Sequence, residues 1–205
     1  MGAMHSPEYY TLRKTIATLA IDTAHYRLGT YVAGLPAERS SLERINELSH
    51  IFDSQGVQAF CDASNDVLKI TFGLGLYGAG LKKLVSKTLQ LPEEGIVENM
   101  IRDFAREYLN QVVGSTKKLI NSQGVELSLG IPDAYLKELE LSPLHKGLEF
   151  VEGFKVEVEG VTFEVKVTAA LLKQEALAGI KPQNVKEFFE AKTAEVDIDA
   201  LFDAL

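Results

Sequence analysis

The run Glu107-Tyr108-Leu109-Asn110-Gln111-Val112-Val113-Gly114 lies in the longest helix that the sequence predicts. Residues three or four positions apart share one face of a helix, so Glu107 and Asn110 are predicted to lie one turn apart on the same side. That side also carries Asp103, Gln111 and Gly114. The apolar residues of the helix fall on the opposite side, so the acid and the amide should face solvent or a partner.

Helix formation does not explain Asn110, because Asn costs about 0.5–0.7 kcal/mol relative to Ala inside a helix. The spacing alone is not specific either. With 20 Glu and 6 Asn in the chain, a Glu-x-x-Asn spacing arises by chance about 0.6 times. It occurs twice, and the second copy is Glu43-Arg44-Ile45-Asn46. A charge on a helix face is usually only solvated, so the surrounding sequence must decide whether either copy is a site.

The composition narrows the class of protein. A chain of 205 residues with 46% apolar residues suits one or two globular domains with a sizeable core. The apolar stretches fall short of the ~20 residues that span a bilayer, and no signal peptide is visible, so no membrane is expected as a partner. A net charge of −8 argues against nucleic acid as a partner, since phosphate binding needs clustered Lys and Arg.

The single cysteine, Cys61, excludes an intrachain disulfide and suits a reducing cytoplasm. Its strand-like surroundings favour a buried structural thiol over a nucleophile. The four histidines show no spacing typical of metal ligands. The sequence therefore predicts a cytoplasmic protein with no metal site of its own.

Helices dominate the predicted first half of the chain. Periodic apolar residues predict a helix over 9–32, and Ser40 and Glu43 stand in capping-box register for a second helix that reaches about residue 52. A β-hairpin is predicted from 56–63 and 67–73, and a short helix over 79–89. The long helix is predicted to begin at Pro92, a favourable first helical position, and to end near residue 120 before Gly124.

Strands dominate the second half. A short strand is predicted over 125–129, and a hairpin from 148–159 and 161–172, whose apolar residues keep a period of two across the Glu159-Gly160 turn. A last helix is predicted near Asn184. The predicted organisation is a cloning remnant over 1–6, an N-terminal helical region over 7–54, an α/β domain over 55–180 and an acidic C-terminal helix or tail over 181–205.

The stretch from Leu68 to Pro132 resembles the CheX/CheC/FliY group of chemotaxis phosphatases, and the resemblance extends over about residues 55–172. The group has a strand, a helix, a long helix with Glu-x-x-Asn-x-x-x-Gly, and a Gly-capped strand that ends in Pro. The matching residues are 68–72, Glu107, Asn110, Gly114, 122–125 and 130–132. Arg106 and Gln111 depart from the pattern of the group, which often has Gly before the Glu and Met or Ile after the Asn. The resemblance implies an α+β fold in which an antiparallel sheet packs against long helices, with N-terminal helices added.

The resemblance also implies an activity, hydrolysis of the aspartyl phosphate on a CheY-like response regulator. Asn110 would orient the attacking water, and Glu107 would pair with a lysine of the regulator. Gly114 would permit close approach of the partner, or would only serve helix packing. Asp103 and Gln111 would belong to the partner-binding surface. Mg²⁺ would come with the regulator, so no cofactor is expected on this chain.

Two other classes of protein stay open. A non-catalytic adaptor would bind a response regulator or a flagellar switch protein without hydrolysis. A dimerisation module would pair two copies of the chain, for which the 148–172 hairpin offers a candidate sheet edge. The second motif, Glu43 and Asn46, is a candidate second site, although Ile45 and Leu48 compete for the buried face of its short predicted helix.

The C-terminal residues 193–205 form an amphipathic acidic pattern. Ile198, Leu201, Phe202 and Leu205 recur at helical spacing. The run 196–202 resembles the regulator-binding peptide at the start of flagellar switch proteins. This resemblance implies a tethered docking arm with Ile198, Leu201 and Phe202 as partner-binding residues. The alternative is that the apolar stripe packs on this protein's own sheet or on a dimer mate.

Overall fold

The computed structural model describes residues 6–32, 43–44, 56–136 and 151–192. The first helix, α1, spans Pro7–Tyr31, as the apolar periodicity predicts. Its start is fixed by Ser6, whose hydroxyl accepts a hydrogen bond from the Tyr9 backbone N–H, and by Pro7 at the first helical position. Ile16, Ala20 and Leu28 on its inner face are fully buried.

Seven strands of the described residues form one antiparallel sheet. They are β1 (Glu43–Arg44), β2 (Val57–Ser64), β3 (Leu68–Tyr77), β4 (Ser128–Leu129), β5 (Asp133–Tyr135), β6 (Glu152–Val158) and β7 (Val161–Leu171). Their order is β1-β6-β7-β3-β2-β4, with β5 also paired to β2. The architecture is α+β, as the sequence predicts.

The two predicted hairpins are confirmed as β2–β3 and β6–β7. At the β6–β7 turn, Glu159 has φ 50° and Gly160 has φ 76°, and these left-handed conformations close a tight two-residue hairpin. The β7 strand lies inside the sheet between β6 and β3, so only β6 of this hairpin approaches an edge. There β1 pairs with it at Phe154 and Lys155.

The long helix, α3, spans Glu98–Asn121 and follows α2 (Leu81–Leu89). The prediction that it begins at Pro92 is wrong, because a short 3-10 helix over Glu93–Gly95 comes first. Ile96 and Val97 are then extended, so the chain leaves helical geometry before α3 begins. The buried side chain of Ile96 ties this break to the core.

The predicted helix from Ser40 to about residue 52 is wrong at Glu43–Arg44, which form strand β1. Backbone pairing with β6 prevails there over the local capping-box pattern, because propensity is a weak prior beside tertiary contacts. The rest of that prediction, Asn46 included, lies outside the described residues. The strand predicted over 125–129 is shorter than expected, since only Ser128–Leu129 pair with β2.

The core lies between the sheet and the two long helices, α1 and α3. Phe72 and Phe163 from the sheet and Tyr108 from α3 are among its largest fully buried side chains. Cys61 on β2 is buried, and burial together with the Asp62 carboxylate raises the pKa of its thiol to about 12. The thiol is therefore protonated at neutral pH, as the buried-thiol prediction requires.

The described chain ends in a helix over residues 185–192, named α4. Asn184 caps it, since its side-chain oxygen accepts from the Glu187 N–H and its amide donates to the Glu187 carboxylate. None of the described helices is long and apolar enough to cross a membrane. Ile198, Leu201 and Phe202 lie outside the described residues.

Candidate functional site

The outer face of α3 carries the residues of the predicted site, which we call the α3 face. It consists of Asp103, Glu107, Asn110, Gln111 and Gly114. The first three are exposed and the other two are half-buried. The opposite side of α3 is buried against the sheet and α1. The helix therefore presents the acid and the amide one turn apart on a rigid element, as the sequence predicts.

Hydrogen bonds along α3 hold the two acids of this face. The Gln111 amide nitrogen donates to Glu107 Oε1 over 3.1 Å, one turn along the helix. Arg106 Nη1 lies 2.9 Å from Asp103 Oδ1 in an ion pair. Asn110 makes no side-chain hydrogen bond within the described part of the chain. Its side chain is exposed on the outer face of the helix.

Two tyrosines near Glu107 form hydrogen bonds between α1 and α3. The Tyr31 hydroxyl, at the end of α1, donates to the backbone carbonyl of Phe104 over 3.0 Å. The Tyr108 hydroxyl donates in the other direction, to the carbonyl of Ala24 over 2.9 Å. Burial, and the nearby Glu107 carboxylate, raise the pKa of Tyr31 well above its ordinary value. The phenol is therefore neutral beside the carboxylate.

Sequence reasoning missed Tyr31 as a neighbour of the site. It is distant from Glu107 along the chain, and a tyrosine at the end of an amphipathic helix carries no pattern that indicates its partner. Only the packing of α1 on α3 brings them together.

Strand β5 borders the other flank of the α3 face. Burial and the Asp133 carboxylate raise the pKa of Tyr135, while the Arg106 guanidinium lowers it. Arg106 thus lies close enough to β5 to act on its tyrosine. The candidate site is thus a face of α3, a helix that also contacts α1 and β5.

Gly114 has room for a side chain. A Cβ atom built on it meets no atom of the described residues within 4 Å, leaving out its own helix backbone, and its backbone is ordinary helix. Gly56 is the opposite case, since a Cβ there would approach the Leu76 carbonyl oxygen to 1.9 Å. Close packing inside the described chain thus accounts for Gly56 and does not account for Gly114.

The segment that leads into α4 runs along the far end of α3. The Lys181 N–H donates to the side-chain oxygen of Gln123 over 2.7 Å, and the Gln123 amide donates to Gln183 over 3.3 Å. Gln123 follows the last turn of α3. The chain at 181–183 is therefore fastened to the C-terminal end of the helix that carries the site.

Further along, Arg27 of α1 joins α3 to α4. Its Nε donates to the Ser115 hydroxyl over 2.6 Å. Its guanidinium carbon lies 4.8 Å from the centroid of the Phe189 ring, a cation–π contact. Residues 181–189 thus contact Gln123 at the end of α3, and Phe189 packs against Arg27 and Tyr26 of α1.

Of the second motif, only Glu43 and Arg44 lie among the described residues. Glu43 lies on β1, opposite Lys155 of β6, and not on a helix. Helical geometry, which would put Glu43 and Asn46 on one face, is therefore absent at Glu43. No group of three or more potential metal ligands occurs among residues 6–32, 43–44, 56–136 and 151–192.

Comparison with known proteins identifies the fold. No protein-family model matches the sequence, and no curated protein matches it. Solved structures do match. A CheC-like superfamily protein from Shewanella sp. PV-4 superposes with a TM-score of 0.59 at 14% identity, over 76% of this chain and 97% of the other.

Two solved CheX structures also superpose on this chain. Chemotaxis protein CheX from Vibrio vulnificus gives a TM-score of 0.57 at 11% identity, over 76% of this chain and 99% of that one. The CheX of a CheX–CheY–BeF₃–Mg²⁺ complex from Borrelia burgdorferi gives 0.58 at 12% identity, over 74% and 96% of the two chains. The protein therefore has the CheX/CheC-type fold that the sequence motifs predict.

Proposed function

We propose that this protein is a chemotaxis-type phosphatase that hydrolyses the aspartyl phosphate of a CheY-like response regulator in the cytoplasm. One observation carries the proposal: Glu107 and Asn110 are both exposed, one turn apart, on the outer face of α3 in a CheX/CheC-type fold. The complex of a similar CheX with CheY supports the choice of partner. Mg²⁺ would be held by the regulator.

Asn110 would carry the chemistry. Phosphoryl transfer passes through a loose transition state, so catalysis consists mostly of positioning the water and stabilising charge. The water attacks phosphorus, the bond from phosphorus to the aspartate oxygen breaks, and the products are inorganic phosphate and a free carboxylate. A neutral, exposed amide can orient that water in line with the breaking bond.

Glu107 would fix the register of the complex. An exposed carboxylate pairs with a lysine of the regulator in a charge-assisted hydrogen bond. Asp103 would add negative charge beside it, and Gly114, open to solvent, would let the partner backbone approach closely. These roles require docking of the whole α3 face, which α1 and β5 leave uncovered at Glu107 and Asn110.

The C-terminal residues 193–205 would act as a second contact with the same regulator. The contacts of residues 181–189 support this, because they fasten the segment before the tail to the end of α3 and, through Arg27, to Ser115 of the same helix. The apolar stripe of Ile198, Leu201 and Phe202 would enter a groove of the regulator, and the surrounding acids would pair with cations there. Such a tether raises the local concentration of the regulator at Asn110.

The test is release of inorganic phosphate from a phosphorylated receiver domain, with and without the protein. Acceleration by the wild type supports the phosphatase. Binding of the phosphorylated receiver without acceleration would select the non-catalytic adaptor instead. Light scattering on the same sample distinguishes a homodimer from a monomer, and a monomer would count against the dimerisation module.

A further inference from the structure

The hydrogen bond between Gln111 and Glu107 places two unlike acceptors side by side on the α3 face. Gln111 uses its amide N–H₂ on one carboxylate oxygen of Glu107, over 3.1 Å. Among the described residues, no group donates to the second carboxylate oxygen of Glu107 or to the amide oxygen of Gln111, and both can accept from a partner. Glu107 is exposed and Gln111 is half-buried, so an incoming donor can reach both.

The helical turn that carries these side chains is held by contacts with α1. Tyr31 and Tyr108 form reciprocal hydrogen bonds between α1 and α3, at Phe104 and Ala24. The Tyr31 ring also packs on Phe104, with 5.0 Å between ring centroids, and on Tyr108, with 5.6 Å. Glu107 projects from the turn that these rings hold. An exposed acid on a loosely held helix would lack this support.

We propose that Gln111 is a positioning residue that holds the Glu107 carboxylate for a cation of the partner, and that Tyr31 fixes the turn from which both project. The ligand is an ammonium group with several N–H donors, which can bond to the free carboxylate oxygen and to the Gln111 amide oxygen together. This inference rests on the proposed function, since the cation belongs to the docked receiver domain.

The chemistry of the pair predicts what replacements do. Methionine at position 111 keeps the length of the side chain and removes both amide groups. Lysine at position 111 keeps a bond to Glu107 and adds helix stability, but its charge occupies the carboxylate that the partner needs. Gln111→Lys should therefore weaken docking more than Gln111→Met, although it leaves the helix at least as stable.

The experiment is a double-mutant cycle with Glu107→Ala, Gln111→Met and the double variant, read as KM and kcat for the phosphorylated receiver domain. Ordering of one side chain corresponds to about a threefold to tenfold change in affinity, so Gln111→Met should raise KM by that factor with kcat unchanged. In the Glu107→Ala background the same substitution should have a clearly smaller effect, because only the bond from the ammonium group to the Gln111 amide oxygen is then left to lose. Tyr31→Phe should raise KM less, with a circular dichroism spectrum like that of the wild type.

Equal fold-changes of Gln111→Met in both backgrounds, or an unchanged KM, would overturn the positioning role. If the wild type binds the receiver domain without accelerating phosphate release, the same cycle is read in Kd. That result separates failure of the phosphatase from failure of the positioning. A wild type that neither binds nor accelerates release would overturn both.

Discussion

Two segments of this chain share the Glu-x-x-Asn spacing, and the backbone differs at their glutamates. In the first, Glu107 and Asn110 lie on α3 and both side chains are exposed on one face. In the second, Glu43 lies on β1, paired with β6. Residues three apart share a face of a helix, whereas in a strand they point to opposite faces. The same four-residue spacing therefore has chemical meaning only where the helix is established independently.

The largest expected effect is the loss of phosphatase rate when Asn110, and not Asn46, is replaced. Asn110→Ala should lower the maximal rate of phosphate release by about 100-fold or more, the loss typical of removing one positioned hydrogen-bonding group from an active site. The fold should survive because the side chain is exposed and α3 favours Ala. The measurement is steady-state release from a phosphorylated receiver domain.

Asn46→Ala is the matched control for this change, and its rate should equal that of the wild type. A comparable loss in Asn46→Ala would restore the second motif as a site and remove the distinction between the two segments.

The second largest effect is a rise in KM when Glu107, and not Glu43, is replaced. Glu107→Ala should raise KM for the phosphorylated receiver by about ten- to 100-fold, because a hydrogen bond to a charged group contributes about 1.5–3 kcal/mol. The maximal rate should change less, since Asn110 remains. Titration of the rate against receiver concentration checks this, with Glu43→Ala as the control. A loss of kcat without a change in KM would give Glu107 a different role.

Deletion of residues 193–205 tests whether the tail assists the α3 face. Without the tether, KM should rise about tenfold through the lost effective concentration. The maximal rate and the melting temperature should stay nearly constant. Circular dichroism measures the melting temperature. A large fall would instead place the apolar stripe in the protein's own core.

The smallest effect concerns two glycines. Gly114→Ala should stabilise α3 by about 0.5–1 kcal/mol, since the added Cβ meets nothing. It should still raise KM by about threefold if the partner backbone lies against this position. Urea unfolding and rate titration measure the two effects. Unchanged KM would leave Gly114 without a role in docking.

Gly56→Ala is the contrasting change, because its Cβ would lie 1.9 Å from the Leu76 carbonyl oxygen. It should lower the free energy of unfolding by about 1–3 kcal/mol, the usual cost of overpacking. A stable Gly56→Ala variant would mean that the backbone there shifts freely.

Much of the fold follows from local sequence. The alternation of Val156, Val158, Val161 and Phe163 across Glu159-Gly160 predicts a hairpin because both the period and the turn chemistry agree. Local patterns fail where distant pairing decides. Ser40 and Glu43 fit a capping box, yet Glu43 joins a strand because β6 offers an edge. Pro92 fits a helix start, yet Gly95 and the buried Ile96 delay the helix to Glu98.

The candidate site, too, is only partly predicted by local sequence patterns. Helical periodicity alone predicts that Glu107, Asn110 and Gly114 share an outer face. The hydrogen bond from Tyr31 to the Phe104 carbonyl depends on how α1 packs against α3. No local sequence pattern predicts that packing.

Turnover by limiting protein tests the central claim most directly. The wild type at about one-tenth of the concentration of a phosphorylated CheY-like receiver should speed phosphate release until all of the receiver is converted, because a catalyst acts repeatedly. Asn110→Ala at the same concentration should leave the intrinsic rate of the receiver unchanged. Release by the wild type at that intrinsic rate, or an acceleration that ends after one phosphate per protein molecule, would contradict the assignment of Asn110 on α3 as the catalytic residue.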